Sequence, residues 1–562
     1  MPAKLKRRRN MATAKELKVF EEAKTRYSKV NLNPLTPLNF LKRSELVFPH
    51  KKAVVYGDKY WSWKEFAERV YRVAHGLQDM GIERFDRVAL LSRNNNAMLE
   101  SMYGVGMAGA VTVPLNYRLG ASQLVYILEH SGSKCLIYER IYADILRSIQ
   151  KELKTTTTFI EIDSPDKKEI EPFGTPYEEF LDKASHAPMD VPVVDENDMI
   201  SICYTSGTTG NPKGCVHTHR GTYLNALSEV IEQQMNSNSS YLWTLPIFHC
   251  QGWNNVWAVT NVGAKHVCLD AVVGDEIFKL ISKEHVTNLC GAPTVVNMLT
   301  DYMSKKYLKF PHPVRYIIAG APPSPKTIQE GENMGMDIHQ VYGLTETYGP
   351  HTICEWHSGE WDKLPIAKRT RIKTHQGVPH VTYTPVRVVD DDMKDVPWDG
   401  ETRGEIIMQC NNVMQWYFND HAQTEEAFRD GWSHSGDGAV IHPDGYIEIV
   451  DRLKDIIITG GENVSSVLVE NVIAEMPHVF DVAVIAKPDE KWGEIVKAIV
   501  AVEPGEEITT GQVVQWCKDH LAGFQVPREV VFGEIPRTAT GKIQKHVLKA
   551  REMELAKKAK EQ

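Results

Sequence analysis

The chain has 562 residues, of which 42% are hydrophobic and 24% charged, and its net charge is −9. That length predicts roughly three to four domain-sized units, and the composition excludes a disordered, collagen-like or disulfide-dense protein. A mildly acidic chain is a poor bulk binder of nucleic acid or of an anionic membrane surface.

The first segment is basic: Lys4, Lys6, Arg7, Arg8, Arg9 and Lys15 precede the first acid, Glu16. Residues 1–34 read as a solvated tail without the apolar run of a secretory signal. No stretch reaches the length of a membrane span. Ser62 and Glu65 make a capping box ahead of a helix expected to end near Gly81. Arg87 to Ser92 reads as a strand, followed by a helix and a second strand, Ala110 to Pro114. Lys134 to Tyr138, Met199 to Tyr204, Ala264 to Leu269 and Val314 to Ala319 are further buried-strand candidates. Apolar strands alternating with helices predict parallel sheets with crossovers. From about residue 375 short β-rich runs with Gly and Asp turns appear, such as Gly404 to Met408 and Gly445 to Val450. The expected organisation is α/β: a large N-terminal domain of stacked mixed α/β sheets (35–453) with a β-rich subdomain from about 375. A small mobile C-terminal α+β domain follows (454–562). Nine cysteines between Cys135 and Cys517 include no CxxC, which fits a reducing compartment and argues against a structural zinc site.

The strongest chemical signal is Tyr204-Thr205-Ser206-Gly207-Thr208-Thr209-Gly210-Asn211-Pro212-Lys213-Gly214, directly after an apolar strand. Glycines admit close backbone approach, hydroxyls donate, and Lys213 adds a point charge, a combination suited to a polyphosphate. It lacks the GK[ST] ending of a Walker loop. Val341-Tyr342-Gly343-Leu344-Thr345-Glu346 offers a flat aromatic, a hydroxyl and a carboxylate able to hold Mg²⁺ through oxygen. The Ser435-Gly436-Asp437 turn places a carboxylate where two vicinal hydroxyls could donate to it. Arg452 and Lys454 fall in a charge run before Gly460-Gly461, and Lys542 follows a glycine near the end.

In this order these elements resemble the adenylate-forming superfamily of acyl-CoA synthetases, firefly-type luciferases and non-ribosomal peptide adenylation domains, from about residue 35 to about 550. Pro246-Ile247-Phe248-His249-Cys250-Gln251-Gly252-Trp253 is similar to the P-x-F-H-x-x-G-W element of fatty-acid and plant-type acyl-activating enzymes. The resemblance implies an acid–CoA ligase using ATP, Mg²⁺ and coenzyme A. An acyl-adenylate forms with release of pyrophosphate, and the CoA thiol then displaces AMP. It implies that Thr205, Ser206, Gly207, Thr208, Thr209, Gly210 and Lys213 hold the β- and γ-phosphates. Gly320, Ala321, Pro322, Tyr342 and Gly343 would flank adenine. Thr345 would contact the α-phosphate, Glu346 with Thr208 would hold Mg²⁺, and Asp437 with Arg452 the ribose. Lys542 would bridge carboxylate and α-phosphate, Lys454 would be the hinge, and Gly460 and Gly461 would line the pantetheine channel after the small domain turns. His249, Trp253, Ala292, Gly343 and Tyr348 are the implied acyl-side residues. No Lys or Arg lies near them to pair with a second carboxylate, so a medium-chain fatty acid is expected, with aromatic or short branched acids next and a luciferase-like oxygenase as the rival. One departure is the segment Val413 to Asp420, where Trp416 stands in place of a usual glycine. That segment is expected to lie away from the site. The remaining expectations are a monomer or homodimer without nucleic acid or transmembrane segment. A cytoplasmic location is expected, with mitochondrial or peroxisomal alternatives; the sequence ends Lys-Glu-Gln without the peroxisomal tripeptide.

Overall fold

The computed structural model describes residues 18–19, 21–23, 26, 30–164, 169–193, 195–205, 211–382, 385–489, 491–538 and 542–561, with side chains through 554. Two large sheets organise the N-terminal part. The first has seven strands, in the order Thr175–Pro176, Thr158–Ile162, Ser133–Glu139, Arg87–Leu91, Val111–Pro114, Met199–Tyr204 and Gly214–Thr218. Its pairings are parallel except the last, Met199–Tyr204 against Gly214–Thr218. The second has nine strands, parallel through its centre and antiparallel at both edges.

Strand alternation explains the layering. Val88, Leu90 and Ile137 face a core shared with the nine-stranded sheet, while Ala89, Leu91, Leu136 and Tyr138 face a separate cluster under the helices Ala121–Ser131 and Ala143–Ile149. Helix Trp63–Asp79 begins at the predicted box, with Ser62 and Glu65 capping each other, and packs its apolar stripe on helix Asn96–Met107. Every residue of the latter helix is buried. A helix with no solvent face belongs in a core, and its one charge, Glu100, is paired there with Arg69 (2.8 Å).

A four-stranded antiparallel sheet follows, Val386–Val389, Gly404–Met408, Ser433–Ile441 and Ile447–Arg452. Beyond Arg452 a five-stranded sheet with its own core around Val469, Val484, Val496 and Val513 forms the C-terminal domain. At the junction, Asp451 accepts from the Ser466 amide (2.6 Å) and hydroxyl (2.5 Å), and Lys549 pairs with Asp455 (2.7 Å). Among the described residues no helix is long and apolar enough to cross a membrane.

Candidate active site

Ligands of open α/β sheets gather outside the carboxyl ends of the strands. Here Val111–Pro114, Met199–Tyr204, Val314–Ile318 and Met336–Leu344 all end at one cavity of about 690 Å³, delivering Pro114, Thr205, Gly320 and Gly343 to its wall. The C-terminal domain closes it with Lys454, Thr538 and Lys542. A second hollow of about 490 Å³ shares Gly320, Gly343, Arg452 and Lys542, and is flanked by Ala321, Pro322 and Tyr342.

The neck of the Thr205–Lys213 loop is closed by paired contacts: the Thr205 amide donates to the Lys213 carbonyl (2.9 Å), and the Lys213 amide to the Thr205 hydroxyl (3.2 Å). Ser206, Gly207, Thr208, Thr209 and Gly210 lie outside the described residues. The Lys213 ammonium donates to Gln423 Oε1 (2.7 Å) and sits over the Tyr417 ring, 4.6 Å from its centroid.

Tyr342 is buried and donates to Asp437 Oδ2 (2.8 Å). Asp437 and Arg452 are register partners on adjacent antiparallel strands, so Arg452 Nε reaches Asp437 Oδ1 at 3.3 Å. Burial raises the Asp437 carboxyl above the usual aspartate value, against the pull of Arg452 and Tyr342. The Lys542 ammonium is enclosed, and burial beside Arg452 lowers its pKa. Among the described residues no ion pair or hydrogen bond holds that ammonium. A buried cation aimed at a cavity without a carboxylate mate fits an anionic ligand. His249 and Thr345 also face this cavity; burial, then Lys542, holds His249 down to about 3, so it is neutral.

The segment expected to lie away from the site is part of it. Trp416 and Phe418 hydrogen-bond to Val216 and Gly214 as an added edge on the seven-stranded sheet (3.1 and 2.7 Å). That pairing carries Tyr417 to Glu346, whose Oε1 accepts its hydroxyl at 2.8 Å. Phe418 lines the cavity directly. The family pattern over Val413 to Asp420 gives Tyr417 and Phe418 no role, and nothing in the sequence points to Gln423, because their proximity to Lys213 and Glu346 comes from strand pairing across about 200 residues.

On the acyl side Trp253 lines the cavity, whereas Ala292 and Tyr348 do not. Ala292 caps helix Pro293–Lys305 and accepts from Tyr316 Oη (3.2 Å). Tyr348 is fully buried behind Gly349. Cys250 to Asn254 form a left-handed turn with φ of 44°, 48°, 58°, 44° and 69°. Each non-glycine residue there costs about 1–2 kcal/mol. Gly460 (φ 60°) and Gly461 (φ 87°) form the turn between Ile457–Thr459 and Glu462–Val464, also away from the cavity, with the Gly460 amide donating to the Trp492 carbonyl (2.8 Å).

The family model for AMP-binding enzymes matches residues 41–418, and that for the AMP-binding enzyme C-terminal domain matches residues 468–542. The chain belongs to the AMP-binding enzyme family. This AMP-binding enzyme is 47% identical to 4-hydroxybutyrate–CoA ligase 2 of Metallosphaera sedula, over 92% of this chain and 94% of the relative. It is 40% identical to an acetate–CoA ligase of Humulus lupulus, over 93% and 96%. Among solved structures, ATP-bound MatB from Rhodopseudomonas palustris superposes with a TM-score of 0.80 at 27% identity, covering 92% of this chain and 98% of that one. The AMP-binding enzyme is an ATP-dependent acid–CoA ligase, and its co-substrates are ATP and coenzyme A, with Mg²⁺. The donors present fit them: Glu346 offers the oxygen ligand that Mg²⁺ takes, and Asp437 a buried acceptor for hydroxyls.

Proposed function

We propose that this acid–CoA ligase activates a short, unbranched acid, acetate to butyrate or a hydroxylated butyrate, in place of the medium-chain fatty acid that the sequence suggests. The observation that carries the reading is the inner end of the acyl side. Trp253 lines the cavity beside Gly349, and the neighbouring Tyr348 and Trp257 are fully buried and hydrogen-bonded to one another (3.3 Å), which supports reading them as an aromatic block that shortens the acyl site. The named activities of the Metallosphaera and Humulus relatives, on 4-hydroxybutyrate and acetate, support the same size class.

In this reading Thr205 and Lys213 grip the terminal phosphates with Ser206 to Gly210. Tyr342 and Gly320 to Pro322 flank adenine, and Asp437, oriented by Arg452 and Tyr342, accepts from the ribose hydroxyls. Glu346, with Thr208, would hold Mg²⁺, which would supply charge neutralisation at the phosphates. Thr345 and Lys542 steady the α-phosphate as the substrate carboxylate attacks it and pyrophosphate departs. Such chemistry needs mainly positioning and electrostatic stabilisation. His249, neutral, packs beside the carboxylate as a gate toward the thiol. The small domain then turns about Lys454, Lys542 withdraws, and Gly460-Gly461 replaces it so that the CoA sulfur attacks the acyl carbon and AMP leaves.

The test is AMP and pyrophosphate release with Mg²⁺, ATP and a panel from acetate to octanoate, plus 4-hydroxybutyrate and benzoate, with and without CoA. CoA-dependent turnover peaking between acetate and butyrate is expected. A peak at octanoate sinks the short-acid reading and restores the medium-chain one.

A further inference from the structure

Gln251 carries none of the roles above, yet it is fully buried in the middle of the left-handed turn. A run of positive φ persists only where its surroundings over-determine it, and such places cluster at ligand sites. Backbone bonds to His249 and Cys250 and the Asn255 amide on the Gly252 carbonyl (3.2 Å) hold the turn locally, and the Gln251 amide ties it to distant segments. Gln251 Oε1 accepts from Tyr348 Oη and from Trp257 Nε1 (2.9 Å), and its Nε2 donates to Thr112 Oγ1 (3.0 Å). Each of the three segments so joined contributes neighbours to the cavity: Pro114 and Leu115 after Thr112, Cys250 and Trp253 around Gln251, and Gly349 and Pro350 after Tyr348. Gly349 (φ 107°) packs so closely that a Cβ added to it would lie 3.2 Å from the Trp253 Cα. Trp253 is therefore packed directly against the Gly349 backbone, next to Tyr348.

We propose that Gln251 is a positioning residue that sets acyl-chain length, by locking Trp253, Tyr348 and Trp257 into a wall closed to acids longer than butyrate. The proposal rests on the short-acid reading. Removing the amide leaves the Tyr348 hydroxyl and the Trp257 N–H without their shared acceptor, which favours rearrangement of the wall.

Two variants test it. Gln251→Met keeps the side-chain volume and removes all three hydrogen bonds. Tyr348→Phe removes one donor and leaves the ring on His217, where the centroids are 4.1 Å apart. For each, kcat/KM is measured on acetate, butyrate, hexanoate and octanoate, with KM for ATP alongside. The octanoate-to-butyrate ratio should rise about tenfold in Gln251→Met, the scale of discrimination expected from a changed apolar pocket. It should rise less in Tyr348→Phe, with KM for ATP within about twofold in both. Uniform loss on all acids at an unchanged ratio overturns the role of Gln251 and leaves the short-acid reading intact. Should Gln251→Met fail to fold, the ratio in Tyr348→Phe decides alone. A wild-type optimum at octanoate overturns both.

Discussion

The Tyr417 hydroxyl donates to the Glu346 carboxylate at 2.8 Å, joining a segment expected to lie away from the site to the proposed metal ligand. The same ring lies under the Lys213 ammonium. One tyrosine thus contacts both the carboxylate proposed for Mg²⁺ and the lysine proposed for the terminal phosphates. Tyr417→Phe keeps the ring and loses the hydrogen bond. A bond to a charged acceptor is worth about 1.5–3 kcal/mol, so adenylation should fall about tenfold or more, with a raised KM for Mg·ATP. Pyrophosphate release at varied Mg²⁺ checks this; an unchanged KM for Mg·ATP would separate Tyr417 from the metal.

Lys542 and Lys454 should divide the two half-reactions. Lys542→Ala is expected to lose most adenylation, about a hundredfold or more on the scale of a lost electrostatic stabiliser, while still converting preformed acyl-adenylate to thioester. Lys454→Pro stiffens the joint and should spare pyrophosphate release but block thioester formation. Equal loss of both half-reactions in Lys542→Ala would contradict alternation of the small domain.

The pH profile of kcat/KM for ATP should be bell-shaped, and the limbs have assigned signs. In the proposed ribose contact Asp437 acts ionised, and burial raises its pKa, so the acid limb should lie above the ordinary aspartate range. In the proposed α-phosphate contact Lys542 acts protonated, and burial, then Arg452, lowers its pKa, so the alkaline limb should fall below that of a free lysine. Arg452, Glu346 and Cys250 also face this lysine. His249, held down to about 3, contributes no limb near neutrality. Lys542→Arg, which does not titrate there, should abolish the alkaline limb. An identical limb in that variant would assign it to another group.

Gly343→Ala should be destabilised by more than about 3 kcal/mol, the scale of a severe core clash. A Cβ at Gly343 would fall 1.8 Å from the Gly349 carbonyl oxygen, a backbone atom of the paired strand that cannot move aside independently. Thermal unfolding checks it. A wild-type melting temperature would mean that the hairpin opens there at little cost.

Much of the scaffold was legible along the chain. Met199–Tyr204 and the Ser62–Glu65 box stand where the apolar run and the capping pattern put them, because both signals are local. The parallel-sheet expectation holds in the centres of both large sheets. The antiparallel edges escaped it, since Gly214–Thr218 folds back on its neighbour through a loop whose glycines read as ligand chemistry. The segment Val413 to Asp420 was misplaced for the same reason in reverse. Its pairing with Val216 is backbone to backbone, and backbone hydrogen bonding leaves no mark on side-chain type.

The sequence by itself determined the reaction class through the order of its motifs, which carries the resemblance to the adenylate-forming superfamily; the residues that handle phosphate must keep their chemical identities wherever they occur, so that order survives in sequence. It likewise determined that the chain alternates apolar strands and helices into α/β layers. Only the tertiary structure decided what surrounds each group: that Asp437 and Arg452 are cross-strand partners, that Lys542 is enclosed opposite them, and that Tyr348 backs the wall without touching the cavity. Size selectivity belongs to this second kind. It depends on which buried aromatic rings are locked and by what, and that is set by contacts such as Gln251 to Thr112, between residues 139 positions apart.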